Sequence, residues 1–203
     1  MPRIRVEYEK KGWIIFLNHM DLPTVFSRAA RRAELSQEFT QGFSPHPRIS
    51  LGPALSIGVE GFSETADFWF NDWDETAAER WSSQLPEGLR ILSTREVPTD
   101  GPNLGKCINA AEYVIKTTGF RLDEEIMNLL VEALKVNGTV YCSEYREEEN
   151  KIILSFGGLE KNTPSLLVKT LTEHGKCEGW ADFRFTRTIV GYWNQEKQTI
   201  LKA

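Results

Sequence analysis

From Arg3 to Tyr8 apolar and polar residues alternate, with Ile4, Val6 and Tyr8 on one face, which is the period of a half-buried strand. Glu9-Lys10-Lys11-Gly12 reads as a turn, and Trp13 to Leu17 as a further strand. The period then changes. Leu22, Val25, Phe26, Ala29 and Ala33 recur at helical spacing, with Asp21 placed to cap that helix and Pro23 tolerated in its first turn. Arg48 to Leu51 and Thr65 to Phe70 read as strands. Asp74 is placed to cap a second helix that buries Ala77, Ala78, Trp81 and Leu85, and Gly88 lies just past its end. Leu89 to Val97 is the next strand.

Pro98-Thr99-Asp100-Gly101-Pro102-Asn103 is the strongest break in the pattern. Beyond it the same order of elements recurs. Ala111 to Lys116 is a strand, and Asp123 caps a helix with Ile126, Met127, Leu130 and Leu134 inward. Thr139 to Tyr145 and Lys151 to Phe156 form a hairpin. Thr163-Pro164 opens a helix with Leu167, Val168 and Leu171 inward, and Ala181 to Val190 is the last strand. Phe183, Phe185 and Ile189 share one face of that strand, and alternation adds Arg187 to it. An arginine in an apolar row predicts a face that is not wholly buried. Each half therefore runs β-α-β-β-α-β, with an extra strand in the first. The pattern predicts an α+β protein of tandem ferredoxin-like (βαββαβ) domains, 1–98 and 111–203, joined by a linker over 99–110. In such a pair, the free sheet faces or the cleft between the domains are natural binding surfaces.

Composition narrows the class. Hydrophobic residues make up 40% of the chain, including 6 Trp, enough for buried cores. No apolar run approaches the roughly 18 residues that span a bilayer, and Met1 to Arg5 opens straight into the alternating pattern with no signal-peptide core. Cys107, Cys142 and Cys177 are odd in number and far apart, with no CxxC spacing. Neither a zinc site nor a disulfide framework is indicated, and a reduced cytoplasmic setting without membrane, metal or cofactor is expected. Net charge is −5, distributed as +3 over residues 1–50, −7 over 51–100 and −1 over the remainder. A globally acidic chain is a weak nucleic-acid binder by charge, which leaves the first helix as the local basic face.

The candidate chemistry lies in the first 50 residues. His19 and Asp21 flank the first helix, where His19 has the chemistry of a general acid or base, or of an anion contact near the helix N-terminus. The simpler reading is a surface histidine beside a capping aspartate. Arg28, Arg31 and Arg32 form a basic stripe suited to phosphate or carboxylate, or else a solvated face partly neutralised by Glu34 and Glu38. Gln41-Gly42-Phe43-Ser44-Pro45-His46-Pro47-Arg48 is a stiff loop. Its two prolines remove donors and push Ser44 and His46 toward extended geometry, so its polar side chains stand on a rigid support. Gln41, Phe43, Ser44, His46 and Arg48 are its candidate binding residues. No second carboxylate, nucleophile or metal set converges with it in sequence. Gly157-Gly158 matches neither a P-loop nor a dinucleotide fingerprint. Trp69, Phe70 and Trp73 read as core rather than as a base-stacking surface.

Asn18-His19-Met20-Asp21-Leu22, Arg28-Ala29-Ala30-Arg31-Arg32, Gln41 to Ser50, Gly52-Pro53-Ala54-Leu55 and Gly58-Val59-Glu60 together resemble the bacterial radical-SAM-linked protein family, a domain whose members are encoded beside, or fused to, a radical SAM protein. Arg187-Thr188 is the clearest match in the second half. The family usually has Ser and Leu where this chain has Asn18 and Met20. A radical SAM enzyme needs cysteines to hold its iron–sulfur cluster, and this chain has no such set. The resemblance therefore implies a non-catalytic accessory or substrate-binding subunit with a radical SAM protein as partner and RNA as a candidate ligand. The tandem plan is also similar to that of the CRISPR repeat-processing endoribonucleases, which gives a second expectation: a metal-independent nuclease using His19 or His46, provided the two converge. A third is an interaction module that binds only protein.

Overall fold

Alternation in Arg3–Lys10 forms strand β1, buried on both faces. The computed structural model describes residues 1–203, and after β1 the first half continues through α1 (Leu22–Arg32), β2 (Ile49–Leu51), β3 (Glu60–Trp69), α2 (Ala77–Ser82) and β4 (Leu89–Val97). The second half holds α3 (Leu104–Cys107), β5 (Ala110–Thr117), α4 (Glu124–Lys135), β6 (Val140–Arg146), β7 (Lys151–Phe156), α5 (Pro164–Glu173), β8 (Phe183–Asn194) and β9 (Thr199–Lys202). The protein is thus α+β, with five helices and nine strands in one mixed sheet.

The long path of the sheet is β4-β1-β3-β8-β5-β7-β6. One edge of β3 is shared: β2 pairs antiparallel with Ala66 to Phe68, and β8 pairs parallel at Glu60↔Thr186 and Gly61↔Arg187. The matching edge of β8 is shared between β3 and β9. Two apolar cores flank this seam. In one, Phe68 meets Trp81 edge-on at 4.7 Å, and Trp81 Nε1 donates to the Phe26 carbonyl at 3.0 Å. The other joins α4 and α5 to β5, β7 and β8, and takes in Leu55 and Val59 from the segment between β2 and β3, and Leu104 from α3.

Local chemistry explains most of the boundaries. Asp123 Oδ1 accepts from Ile126 N at 2.7 Å and starts α4 as expected. Other elements depart from the pattern. Trp13 to Leu17 is not a strand: Gly12–Phe16 is a 3-10 turn, entered at Gly12 with φ +65. Lys10 is fully buried, and its ammonium donates to the Ile15 and Leu17 carbonyls, which curls the segment back over β1. Asp21 does not cap α1. A single 3-10 turn, His19–Asp21, runs directly into the helix, and Asn18 Oδ1 caps it by accepting from Met20 N at 3.1 Å. β9 pairs with the end of β8, where no strand is evident from alternation alone.

The largest departure is at Arg187. Its face of β8 is buried, and Arg187 itself is 1% exposed. The guanidinium donates to both carboxylate oxygens of Glu64, at 2.8 Å from Nε to Oε1, and to the carbonyls of Pro53 at 2.8 Å and Ala54 at 3.2 Å. Tyr113 Oη lies 3.3 Å away. Gly61 makes the room, since a Cβ there would sit 2.7 Å from the Glu64 side chain. A register shift after Glu112 then bulges β8, so that Val190 rather than Ile189 returns to the core. Glu64 continues the inward row of Ala66 and Phe68, and Arg187 that of Phe183 and Phe185. Both helix pairs therefore lie on one side of the sheet. Replacing Glu64 with Ala leaves a buried guanidinium uncompensated and is expected to cost about 3–5 kcal/mol in urea unfolding. The double substitution Glu64→Leu, Arg187→Met is expected to recover most of that loss. Equal losses in the single and double variants would show that the pair is not what the seam depends on.

Candidate functional site

The structure divides the sequence-derived candidates between two places. His19 stands before α1, in the field of Arg187, Lys10 and Glu64 at the seam. The loop Gln41–Arg48 lies beyond the other end of α1, a helix of 11 residues and about 16 Å. The His46 ring bonds within its own loop, to Thr40 and Ser44, and His19 is not among its partners.

At the seam, Tyr8, Lys10, Glu64, Tyr113 and Arg187 form a buried polar cluster. Burial opposes the Arg187 charge, but Glu64 and Tyr113 more than offset it and hold the guanidinium above its usual range. Burial pulls Lys10 down, with Arg187 adding to the effect and Glu64 opposing it. Burial also pushes both tyrosines up. The charged groups are all committed to partners at the seam. His19 Nδ1 is the exception, buried without a hydrogen bond. Burial, then Arg187, lowers the His19 pKa, and the nearby Glu64 only partly compensates.

The loop is built differently. Phe39 and Pro47 form an isolated bridge, Thr40 N donates to the His46 carbonyl at 2.8 Å, and Thr40 Oγ1 lies 3.0 Å from His46 Nδ1. The tip, including Gln41, Ser44 and a fully exposed Phe43, projects into solvent. Arg48 faces the opposite side, paired with Glu38 at 3.0 Å and lying 4.4 Å over the Trp69 ring. Arg32 donates to the Gln84 carbonyl. Glu38 is thus taken by Arg48, and neither it nor Glu34 neutralises the arginine stripe. Arg28 and Arg31 carry no ion pair, and they line a pocket of about 280 Å³ with Ser27, Gln37, Phe39 and Pro47. Trp69, Phe70 and Trp73 are withdrawn from any stacking role: the first two are buried, and Trp73 packs on Phe70 and Trp81.

A third feature lies outside the sequence-derived candidates. On the helix side, between the two halves, a cleft of about 630 Å³ is walled by Trp13, Phe16 and Ile57 from one half and by Trp180, Phe183 and Phe185 from the other. Trp13 is 90% exposed, Phe16 59%, Ile57 53% and Trp180 40%. Arg184 stands in its wall with no carboxylate partner. The signal lay in Trp13 to Leu17, an apolar run that makes sense as a strand only if something covers it. No group of three or more His, Cys, Asp or Glu side chains is placed to hold a metal ion, and no helix is long and apolar enough to cross a membrane.

A family model covering residues 3–151 matches this chain, from β1 to the start of β7. The chain belongs to this family of uncharacterized proteins conserved in bacteria (DUF2344). The match includes His19, the arginine pocket, the loop and Glu64, and stops short of Arg187. No curated protein matches the chain. Among solved structures, the small subunit of acetolactate synthase from Thermotoga maritima is similar over 95% of this chain and 98% of its own length, at 13% identity and a TM-score of 0.27. That likeness is too slight to inform the site.

The His19 shift carries a pH consequence. Its folded-state pKa lies below the ordinary value of about 6.5, so the unfolded chain binds the proton more readily. Stability held above about pH 6.5 is therefore lost as pH falls from there through the lower folded-state pKa. His19→Gln is expected to flatten the fall in Tm between about pH 7.5 and pH 5.5. An unchanged slope would place the acid sensitivity elsewhere.

Proposed function

We propose that this chain is a non-catalytic accessory subunit that docks a partner enzyme through the aromatic cleft at the seam. The exposed side chains of Trp13, Phe16, Ile57 and Trp180 around one cavity are the observation that carries the reading. Contiguous apolar surface of this kind is costly to leave in water and is characteristic of protein contact sites, where Trp and Arg are enriched. Arg184 at the wall supplies the polar counterpart. The committed pairing of the seam charges also favours binding over catalysis: Glu64 and Lys10 are occupied as structural partners.

The partner we propose is a radical SAM protein, on the strength of the resemblance carried by residues 18–60 and Arg187-Thr188. RNA is the ligand class that this pairing would bring to the arginine stripe. The fold reading belongs to the same proposal. Strand orders β4-β1-β3-β2 and β8-β5-β7-β6, each wholly antiparallel, support two ferredoxin-like halves fused edge to edge. A cleft between two such halves, with one wall from each, is where a partner would read their relative position.

The test is binding between the purified chain and a radical SAM protein of the same organism. Trp13→Ser with Trp180→Ser is expected to weaken the complex by about thirtyfold or more, as loss of interface tryptophans does. Trp13 is almost wholly exposed, whereas Trp180 packs edge-on against Phe185, so the fold of the variant is checked by its thermal unfolding. Equal affinity for the variant and the parent chain would contradict docking at the cleft.

A further inference from the structure

The pocket beside α1 has the chemistry of an anion site, and it does not depend on the docking cleft. Arg28 and Arg31 stand one helical turn apart, so their side chains lie on one face. Neither has an ion pair, although the chain as a whole is acidic. No carboxylate lines the pocket. Its wall also holds two buried polar atoms without partners, Ser27 Oγ and Gln37 Nε2. A hydroxyl and an amide nitrogen are both donors, as are the two guanidinium groups. Four donor-bearing side chains with no carboxylate among them suit an anion with several oxygens. Phe39, half exposed, and Pro47 form an apolar wall opposite them, held by the bridge that closes the loop.

We infer that this pocket binds a terminal phosphate attached to a flat ring, the chemistry of a 5′-phosphorylated nucleotide. The guanidinium forks take the phosphate oxygens in pairs. Rotation of Ser27 and Gln37 presents their orphan donors to the remaining oxygens. The ring lies against Phe39, as bases do on aromatic side chains. The size of the pocket, about 280 Å³, admits one phosphate and one ring rather than a strand running through it. Glu34 and Glu38 follow the arginines in sequence, so no basic track leads away on that side. This favours a phosphate monoester at an end over a diester within a strand.

The experiment is fluorescence anisotropy with a labelled RNA hexamer carrying a 5′-phosphate, the same hexamer with a 5′-hydroxyl, and unlabelled nucleoside 5′-monophosphates as competitors. The 5′-phosphate is expected to tighten binding about tenfold or more, and Arg28→Ala with Arg31→Ala to abolish that difference. Neither arginine is buried, so the variant keeps its fold, checked by its thermal unfolding. With one phosphate neutralised, the slope of log K against log salt is expected to be about −0.7. Competition by a mononucleotide at equal affinity identifies a free nucleotide as the ligand, and competition weaker than that of the 5′-phosphorylated hexamer identifies an RNA end; either supports the pocket, whereas no competition at all contradicts it. Equal binding of the phosphate and hydroxyl hexamers, or a difference that survives in the arginine variant, would overturn it.

Discussion

The guanidinium of Arg187 is sealed between two halves of the chain, and Glu64 is the one carboxylate that meets it. An ion pair so deeply buried adds little net stability over an apolar contact, but breaking it on one side is severe. Its main effect is to fix register. Arg187 lies opposite Gly61, where the parallel pairing of β3 and β8 is only two residues deep. Side-chain bonds to Glu64 and to the Pro53 and Ala54 carbonyls reinforce that short ladder. They also pin the segment that sends Leu55 and Val59 into the neighbouring core. The two cores thus share a wall, although each has its own helices.

The functional surfaces inherit this arrangement unequally. The aromatic cleft has one wall from each half, so its width is set at the seam. Lys10, buried beside the cluster, holds the carbonyls of Ile15 and Leu17, and Trp13 and Phe16 of the same turn line the cleft. The arginine pocket is built from α1 and residues 35–47 alone. Its geometry follows from a local hairpin-like closure between Thr40 and His46. His46 therefore acts in closing the loop, while Arg48 is drawn to the far side by Glu38 and Trp69.

Where a boundary is decided by neighbours in sequence, the chain was legible. The Asp123 cap, the helix faces of α4 and α5 and the full extent of β4 follow from local pattern, as does the basic character of α1. Where the deciding partner is remote, it was not. Arg187 in an apolar row was a true anomaly, but alternation offers two explanations, exposure or a buried counter-charge. Glu64 lies 123 residues away. Trp13 to Leu17 reads as a strand because nothing in its own sequence reveals the pull of the Lys10 ammonium. The bulge that exchanges Ile189 for Val190 depends on pairing with β5. Of the site residues, Arg28 and Arg31 stand free as the stripe suggested, whereas Arg32 and Arg48 are occupied by contacts that only the tertiary fold supplies.

With Arg187 and Glu64 joining them, the two halves are expected to unfold as one cooperative unit. Native-state amide hydrogen exchange tests this most directly. The most protected amides of β1 and β3 and those of β5, β7 and β8 are predicted to exchange through one opening, with a single free energy equal to that of global unfolding. Separate opening of β5 to β8 at lower free energy, with β1 and β3 still protected, would contradict it.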